Sequence, residues 1–277
     1  MISLNIDLSI DPEEVSIVIK DFIKTYVQNS SCKGVVIGLS GGVDSAVNAL
    51  LCKAALSKKN IKCLFLPDET SPKSDYRDFE LIVKKFDLSW ERKDISKAVK
   101  EITENCILKP DKYALANIKA RTRMVLLFEY ANMTQSLVCG TSNKSELLVG
   151  YFTKYGDGGV DIFPIGDLYK TQVWELAKFL KIPKEIISKP PTAGLWKGQL
   201  DEQELKLGYN KLDKILVGLE RKMDIKDIAK IVGVKQSEVE RVKTMRIKSQ
   251  HKRRAALIPK VGLRTPGYDW RSPILKG

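Results

Sequence analysis

Histidine is almost missing from this chain of 277 residues, with His251 as the single example. One imidazole excludes metal sites built from several histidines and the paired-histidine zinc proteases. Cysteine is sparse as well: Cys32, Cys52, Cys63, Cys106 and Cys139 are scattered, and no C-x-x-C pair occurs. That pattern argues against a disulfide framework and against a zinc ribbon. Cys52 and Cys63 stand in apolar surroundings, where inert buried thiols are expected. Long apolar runs are lacking too. The best candidate, 124–128, stops at Glu129, far short of the roughly 18 residues that read as a membrane span. The opening MISLNIDLSIDPEE is acidic where a secretory signal would be basic. A cytoplasmic protein with no membrane partner is expected.

What is present is basic. Lys plus Arg number 47 and Asp plus Glu 34, a net charge of +13. Such a balance suits polyanionic partners, either nucleic acid or phosphate-rich small molecules. Mixed-sign stretches such as 97–100 and 221–241 read more simply as solvated helix faces. No zinc-finger spacing and no aromatic RNA-binding motif accompanies the charge, so a nucleic-acid partner is not expected.

The order of elements points to an α/β fold. Asp11-Pro12-Glu13-Glu14 has the chemistry of a helix start. Val15, Val18, Ile19, Phe22, Ile23 and Tyr26 continue it at helical spacing to about Gln28. Apolar runs at 34–39, 61–66, 88–92 and 136–139 read as strands, with helices at 46–56, 74–86, 95–105 and 111–133 between them. Alternation of this kind implies a mostly parallel, doubly wound sheet with helices on both faces. A glycine-rich loop fills 151–166, a helix 168–180, and a polar stretch 195–204; the positions between Trp196 and Tyr209 are expected to order when ligand binds. Residues 201–248 read as helical and lysine-rich. The chain is expected to be one domain, with a nucleotide-binding core over about 34–192 and a helical C-terminal extension over about 193–277.

The strongest local signal is Ser40-Gly41-Gly42-Val43-Asp44-Ser45, directly after the first strand and before a helix. Ligands of open α/β sheets bind where a strand end feeds a helix N-terminus. Adjacent glycines let backbone amides approach an anion, and Ser40 and Ser45 add hydroxyl donors. The Lys-Ser/Thr ending of a Walker A loop is missing. Asp44 stands here instead, and its charge would repel phosphate unless a cation such as Mg²⁺ lay between them.

This loop resembles the pyrophosphate-binding signature of the N-type ATP pyrophosphatases, which cleave ATP between the α- and β-phosphates. Longer segments narrow the resemblance. They are 140–146 (GTSNKSE), 150–161 (GYFTKYGDGGVD), 164–171 (PIGDLYKT), 117–124 (NIKARTRM), 191–196 (PTAGLW) with Gln199, Asp201 and Glu202, and 249–253 (SQHKR). Together they are similar to the NAD synthetase family over residues 34 to about 254, in that family's order. Glutamine-dependent members carry a large N-terminal amidase domain. Some 33 residues precede the first strand here, so the ammonia-dependent form is expected. Other adenylating enzymes with the same loop, of the tRNA-thiolating or GMP-synthetase type, form the alternative.

The resemblance implies a ligase that amidates nicotinic acid adenine dinucleotide with ammonia, at the expense of ATP and with Mg²⁺. It implies that Gly38, Leu39, Ser40, Gly41, Gly42, Val43, Asp44 and Ser45 hold the ATP phosphates, joined by Thr141, Lys170 and Thr192. Asp44 and Glu146 would be Mg²⁺ ligands, and Asp44 and Lys170 the candidate catalytic groups. Arg121, Lys154, Asp161, His251 and Lys252 would bind the deamido dinucleotide. Tyr151, Phe152 and Tyr155 are candidates for stacking on a base or for plain aromatic packing. A homodimer is implied as well.

Overall fold

The computed structural model describes residues 6–196 and 198–266; the end of the expected C-terminal extension, 267–277, lies outside them. Four parallel strands form one sheet: β1 (Gly34–Gly38), β2 (Ile61–Phe65), β3 (Trp90–Arg92) and β4 (Ser136–Cys139), in the order β3-β2-β1-β4. All four fall inside the expected apolar runs. Their β-branched residues alternate between two cores, as strands buried on both faces require. Val35 and Ile37 point into one cluster, and Val36 into the other.

Helices cover both faces. α1 (Pro12–Asn29), α2 (Val43–Ala55), α3 (Lys73–Lys85) and α7 (Lys170–Phe179) contribute to the larger core, with the short α8 (Lys184–Ile187) at its edge. α4 (Ser96–Glu104) and α5 (Lys112–Thr134) cover the opposite face. Asp11 caps α1 by accepting from the amides of Glu13 and Glu14 at 2.9 and 3.1 Å, as its sequence predicts. The buried stripe of α1 is narrower than expected. Ile19, Ile23 and Val27 face the core, whereas Val18 and Phe22 are 61% and 43% exposed. Residues 19, 23 and 27 recur every fourth position and occupy one line of contact; Val18 and Phe22 sit about 100° around the helix from it.

The C-terminal part is helical, as expected: α9 (Asp201–Leu205), α10 (Tyr209–Glu220), α11 (Ile225–Val232) and α12 (Gln236–Lys248). Leu212, Ile215 and Leu216 of α10 pack with Ile228 of α11 and Val239 and Val242 of α12. Val149 and Tyr169 join this C-terminal cluster, separate from the two cores on the sheet faces, which docks the helices beside the carboxyl ends of β1 and β4. Val149 ends α6 (Lys144–Val149), a helix missed in the sequence reading although Asn143 and Glu146 spell a capping box. Among the described residues no helix is long and apolar enough to cross a membrane.

Candidate active site

The carboxyl ends of β1 and β4 adjoin where the strand order reverses. Open α/β sheets form their ligand crevice at such a point. Two segments leave the sheet there: residues 39–42, leading from β1 into α2, and residues 140–143, leading from β4 into α6. A cavity of about 530 Å³ opens above them.

The loop after β1 is held by its own hydroxyls. Ser45 Oγ donates to the Gly42 carbonyl at 3.0 Å, and the Gly42 amide donates to Ser40 Oγ at 3.3 Å. Gly41 adopts φ +86°, and a Cβ there would stand 2.6 Å from the Asp75 carbonyl oxygen. A side chain at this position is excluded on both counts. The tight turn brings Asp44 into the first turn of α2, with its carboxylate toward the cavity.

Three charged side chains from three elements converge on this point. Lys170, the first residue of α7, places Nζ against Asp44 Oδ2 and 3.8 Å from Glu146 Oε1. The Lys170 side chain is 3% exposed, Asp44 18% and Glu146 15%. Asn143 orients both carboxylates: its Nδ2 donates to Asp44 Oδ1 at 2.9 Å, and its amide to Glu146 Oε2 at 3.3 Å. Burial, reinforced by the Asp44 charge, pushes the Glu146 carboxyl up to about 8. Burial alone would lower Lys170, but Asp44 and Glu146 outweigh it and raise the ammonium above the ordinary lysine range. Buried ion pairs gain little stability over apolar packing, so this cluster is poorly explained as a structural device.

Asp201 is another carboxylate of the cavity wall. It is 3% exposed; Tyr209 donates to its Oδ2 at 3.1 Å, while Oδ1 is buried without a hydrogen-bond partner. Burial raises its pKa. A buried acceptor left unpaired costs about 1–3 kcal/mol; in a ligand cavity it has the character of a contact awaiting its donor.

The other expected residues divide into two groups. Thr141, Thr192 and Lys252 line the same cavity. The hydroxyl of Thr192 accepts from the Gly194 amide at 3.0 Å, and Lys252 Nζ donates to the carbonyls of Gly150 and Phe152, each at 2.8 Å. Arg121, Lys154 and His251 instead join in a strip outside the cavity wall. Arg121 donates to the Lys154 carbonyl at 3.3 Å, and Lys154 Nζ to the His251 carbonyl at 2.7 Å. Asp161 is exposed, and its Oδ2 accepts from the Val138 amide at 2.7 Å, inside β4.

The sequence profile of NAD synthase matches residues 15–256. The chain belongs to the NAD synthase family. An NH(3)-dependent NAD(+) synthetase of Saccharolobus solfataricus is 46% identical over 272 residues, covering 96% of each chain. Its counterpart in Pyrococcus horikoshii is 44% identical over 238 residues, covering 86% of this chain and 92% of that one. Two solved structures superpose over 91% of this chain and 100% of their own. They are an NMN synthetase from Francisella tularensis (34% identity, TM-score 0.82) and an NH3-dependent NAD synthetase from Campylobacter jejuni (33%, 0.77). The NAD synthase fold thus accounts for the parallel sheet, the loop after β1 and the appended helices together.

Several polar groups in the cavity wall or just behind it were not singled out from the sequence. Lys119 and Arg123 of α5 meet Asp68 at 3.4 and 3.0 Å, and Lys119 Nζ also donates to the Leu195 carbonyl at 3.1 Å. Burial is opposed at Asp68 by Thr70, Arg123 and Lys119, which together lower its pKa. Neither Lys119 nor Asp68 carries a local signature, because lysine in an amphipathic helix reads as a solvated residue. Cys52 and Cys63 are buried, as expected, and burial pushes Cys63 up to about 12.

Proposed function

We propose that the protein amidates nicotinic acid adenine dinucleotide to NAD⁺ with ammonia, consuming ATP through an acyl-adenylate and releasing AMP and pyrophosphate. The observation that carries this reading is the convergence of Asp44, Glu146 and Lys170 beside the glycine loop. The names of the relatives supply the substrate class.

Asp44 and Glu146 suit a hard divalent cation. Both are oxygen donors on separate elements, and both already face one positive charge, the Lys170 ammonium. No cluster of three or more candidate metal ligands occurs among the described residues. Mg²⁺ is usually held by one or two carboxylates with substrate phosphates completing its shell, so this sparse donor set fits it. When bound, Mg²⁺ would neutralise phosphate charge and polarise the phosphoryl oxygens.

The chain's own groups then divide the work. Backbone amides of 40–45 with Ser40 and Ser45 would bind the β- and γ-phosphates, and Thr141 and Thr192 would fix the rest of ATP. The pyridine carboxylate would attack the α-phosphorus; the α–β bridging oxygen would leave with pyrophosphate, its negative charge met by Lys170 and the loop amides. Ammonia would then attack the acyl carbon of the adenylate and displace AMP, giving the amide. Lys252 would face the dinucleotide in the cavity, with Arg121, Lys154 and His251 extending the site outward and a second protomer expected to close it. Asp161 would contribute through its remaining carboxylate oxygen. No enzyme nucleophile is required: His251 is exposed and Cys63 is held as a thiol.

A second reading follows from the Francisella neighbour, whose name is NMN synthetase. The same chemistry on a nicotinic acid mononucleotide would leave the outer strip of Arg121, Lys154 and His251 without a substrate role. The test is turnover of purified protein with ATP, Mg²⁺ and ammonium, offering the acid dinucleotide and the acid mononucleotide in parallel and measuring pyrophosphate and both amides. Amidation of the dinucleotide, with little from glutamine, supports the first reading. Amidation of the mononucleotide alone replaces it with the second, and pyrophosphate release with neither acceptor overturns both.

A further inference from the structure

Glu146 and Lys170 lie at the starts of two different helices, α6 and α7, and something must hold those starts in register. The link between them runs through α10, which belongs to the C-terminal hydrophobic cluster and contributes no residue to the cavity lining. Asp213 of α10 is fully buried, at 0% exposure. Its Oδ1 accepts from Ser145 Oγ at 2.5 Å, and its Oδ2 accepts from the amide and the hydroxyl of Thr171, each at 2.9 Å. Ser145 Oγ in turn accepts from the Lys170 amide at 2.9 Å. Ser145 precedes Glu146, and Thr171 follows Lys170. One carboxylate thereby joins the residue before Glu146 to the residue after Lys170.

We infer that Asp213 is a positioning residue: through Ser145 and Thr171 it sets α6 against α7 and fixes where Glu146 and Lys170 stand relative to Asp44. A buried carboxylate is costly to desolvate, and a leucine, like Leu212 and Leu216 of the same helix, would fill such a site without that cost. The bonds go to two residues that flank the charged cluster, and none goes to a neighbour whose place is merely structural. The inference rests on the proposed roles of Glu146 and Lys170 in ATP activation.

The experiment compares Asp213→Asn and Ser145→Ala with Leu212→Ala. Leu212 is the neighbouring buried residue of α10, and its truncation loosens the helix without touching Ser145 or Thr171. Displacing reacting groups by about 1 Å costs up to about 100-fold in rate. Asp213→Asn and Ser145→Ala should therefore lower kcat by about 10- to 100-fold, with the KM for ATP changed less than about threefold. Leu212→Ala should lower Tm and keep kcat well below its Tm. Thr171→Val should lose part of the same activity and Thr171→Ser should keep it, since only the second retains the hydroxyl. Should Asp213→Asn not fold, Ser145→Ala and the Thr171 pair carry the test. Wild-type kcat in the variants that cut this linkage, or an equal loss per degree of Tm in Leu212→Ala, overturns the inference.

A readout independent of the substrate comes from the crystal structure of Ser145→Ala. The separation of Lys170 Nζ and Glu146 Oε1, 3.8 Å here, should change by about 1 Å; an unchanged separation refutes the positioning role. If the wild-type protein amidates neither nucleotide, the proposed function fails by itself, and this structural readout still decides the inference.

Discussion

Lys170 and Asp44 stand 126 positions apart in the chain and form a direct ion pair at the mouth of the cavity. Each comes from the first turn of a different helix, and Asn143 from a third segment holds the carboxylate in place. The pair is held in place before any ligand arrives, as the proposed contacts with phosphate and a cation would require. Asp44→Asn keeps the shape and removes the charge. Turnover should fall by at least about 100-fold, the scale of losing one preorganised electrostatic contact, while the circular dichroism spectrum stays that of the wild type. A variant within a few-fold of wild-type turnover would rule out Asp44 as a cation ligand.

Asp213 makes a pH-dependent contribution to stability whose sign can be worked out. Burial pushes its carboxyl up to about 6 from an ordinary value of 3.8, against the opposing hydrogen bonds of Ser145 and Thr171 and the charge of Lys170. A group with a raised native pKa binds its proton more tightly when folded. The associated stability is complete below pH 3.8 and is lost as pH rises through about 6. The amide of the Asp213→Asn variant does not titrate and would carry no such dependence. The Tm of the wild type minus that of Asp213→Asn should therefore be largest near pH 4 and shrink toward pH 7. A difference that grows with pH would reverse the assignment.

Gly150 ends α6 with φ +75°, and a Cβ there would fall 2.2 Å from Ser249 Cβ. Gly150→Ala should cost at least about 1 kcal/mol from the backbone alone, with the collision added. Thermal unfolding reads this as a lower Tm by several degrees. Because Lys252 bonds the Gly150 carbonyl, dinucleotide KM should rise in the same variant. An unchanged Tm would mean that the turn relaxes without loss.

The 191–196 segment is tied to α5 at several places, among them the edge-to-face contact of Tyr113 with Trp196. Lys119 donates to the Leu195 carbonyl, and Lys112 Nζ lies 4.0 Å from the centre of the Trp196 ring. Lys119→Met removes the tie to Leu195 and leaves Asp68 with Arg123. Limited proteolysis should cut this segment faster in the variant than in the wild type, and ATP should slow cleavage of the wild type. Equal rates with and without ATP would count against closure of this segment over the nucleotide.

Much of the fold was readable along the chain because its causes are local. A short β-branched run, two glycines and a resumed helical stripe describe β1, the loop and α2 with no knowledge of what packs on them. The same holds for Asp11, whose carboxylate caps the helix that it precedes. On α1 the local pattern fell short. Val18 and Phe22 are as apolar as Ile19 and Ile23, and only the position of the sheet decides which line of the helix is buried. The motif residues of the site were likewise legible as types. Their grouping was not: Lys252 turns into the cavity while Arg121, Lys154 and His251 lie beyond its wall.

By itself, then, the sequence determined the strand–loop–helix unit, the parallel sheet and the identity of the charged groups, since period, turn chemistry and residue type are properties of neighbouring positions. The tertiary structure alone decided that Lys170 faces Asp44 and Glu146, that Asp201 keeps an unpaired oxygen in the cavity, and that Asp213 links Ser145 to Thr171. Those contacts join segments tens of residues apart. They exist because α7 packs on α2 in the larger core while the C-terminal hydrophobic cluster docks α10 against α6 and α7, and no local spacing encodes where a docked helix places one buried carboxylate.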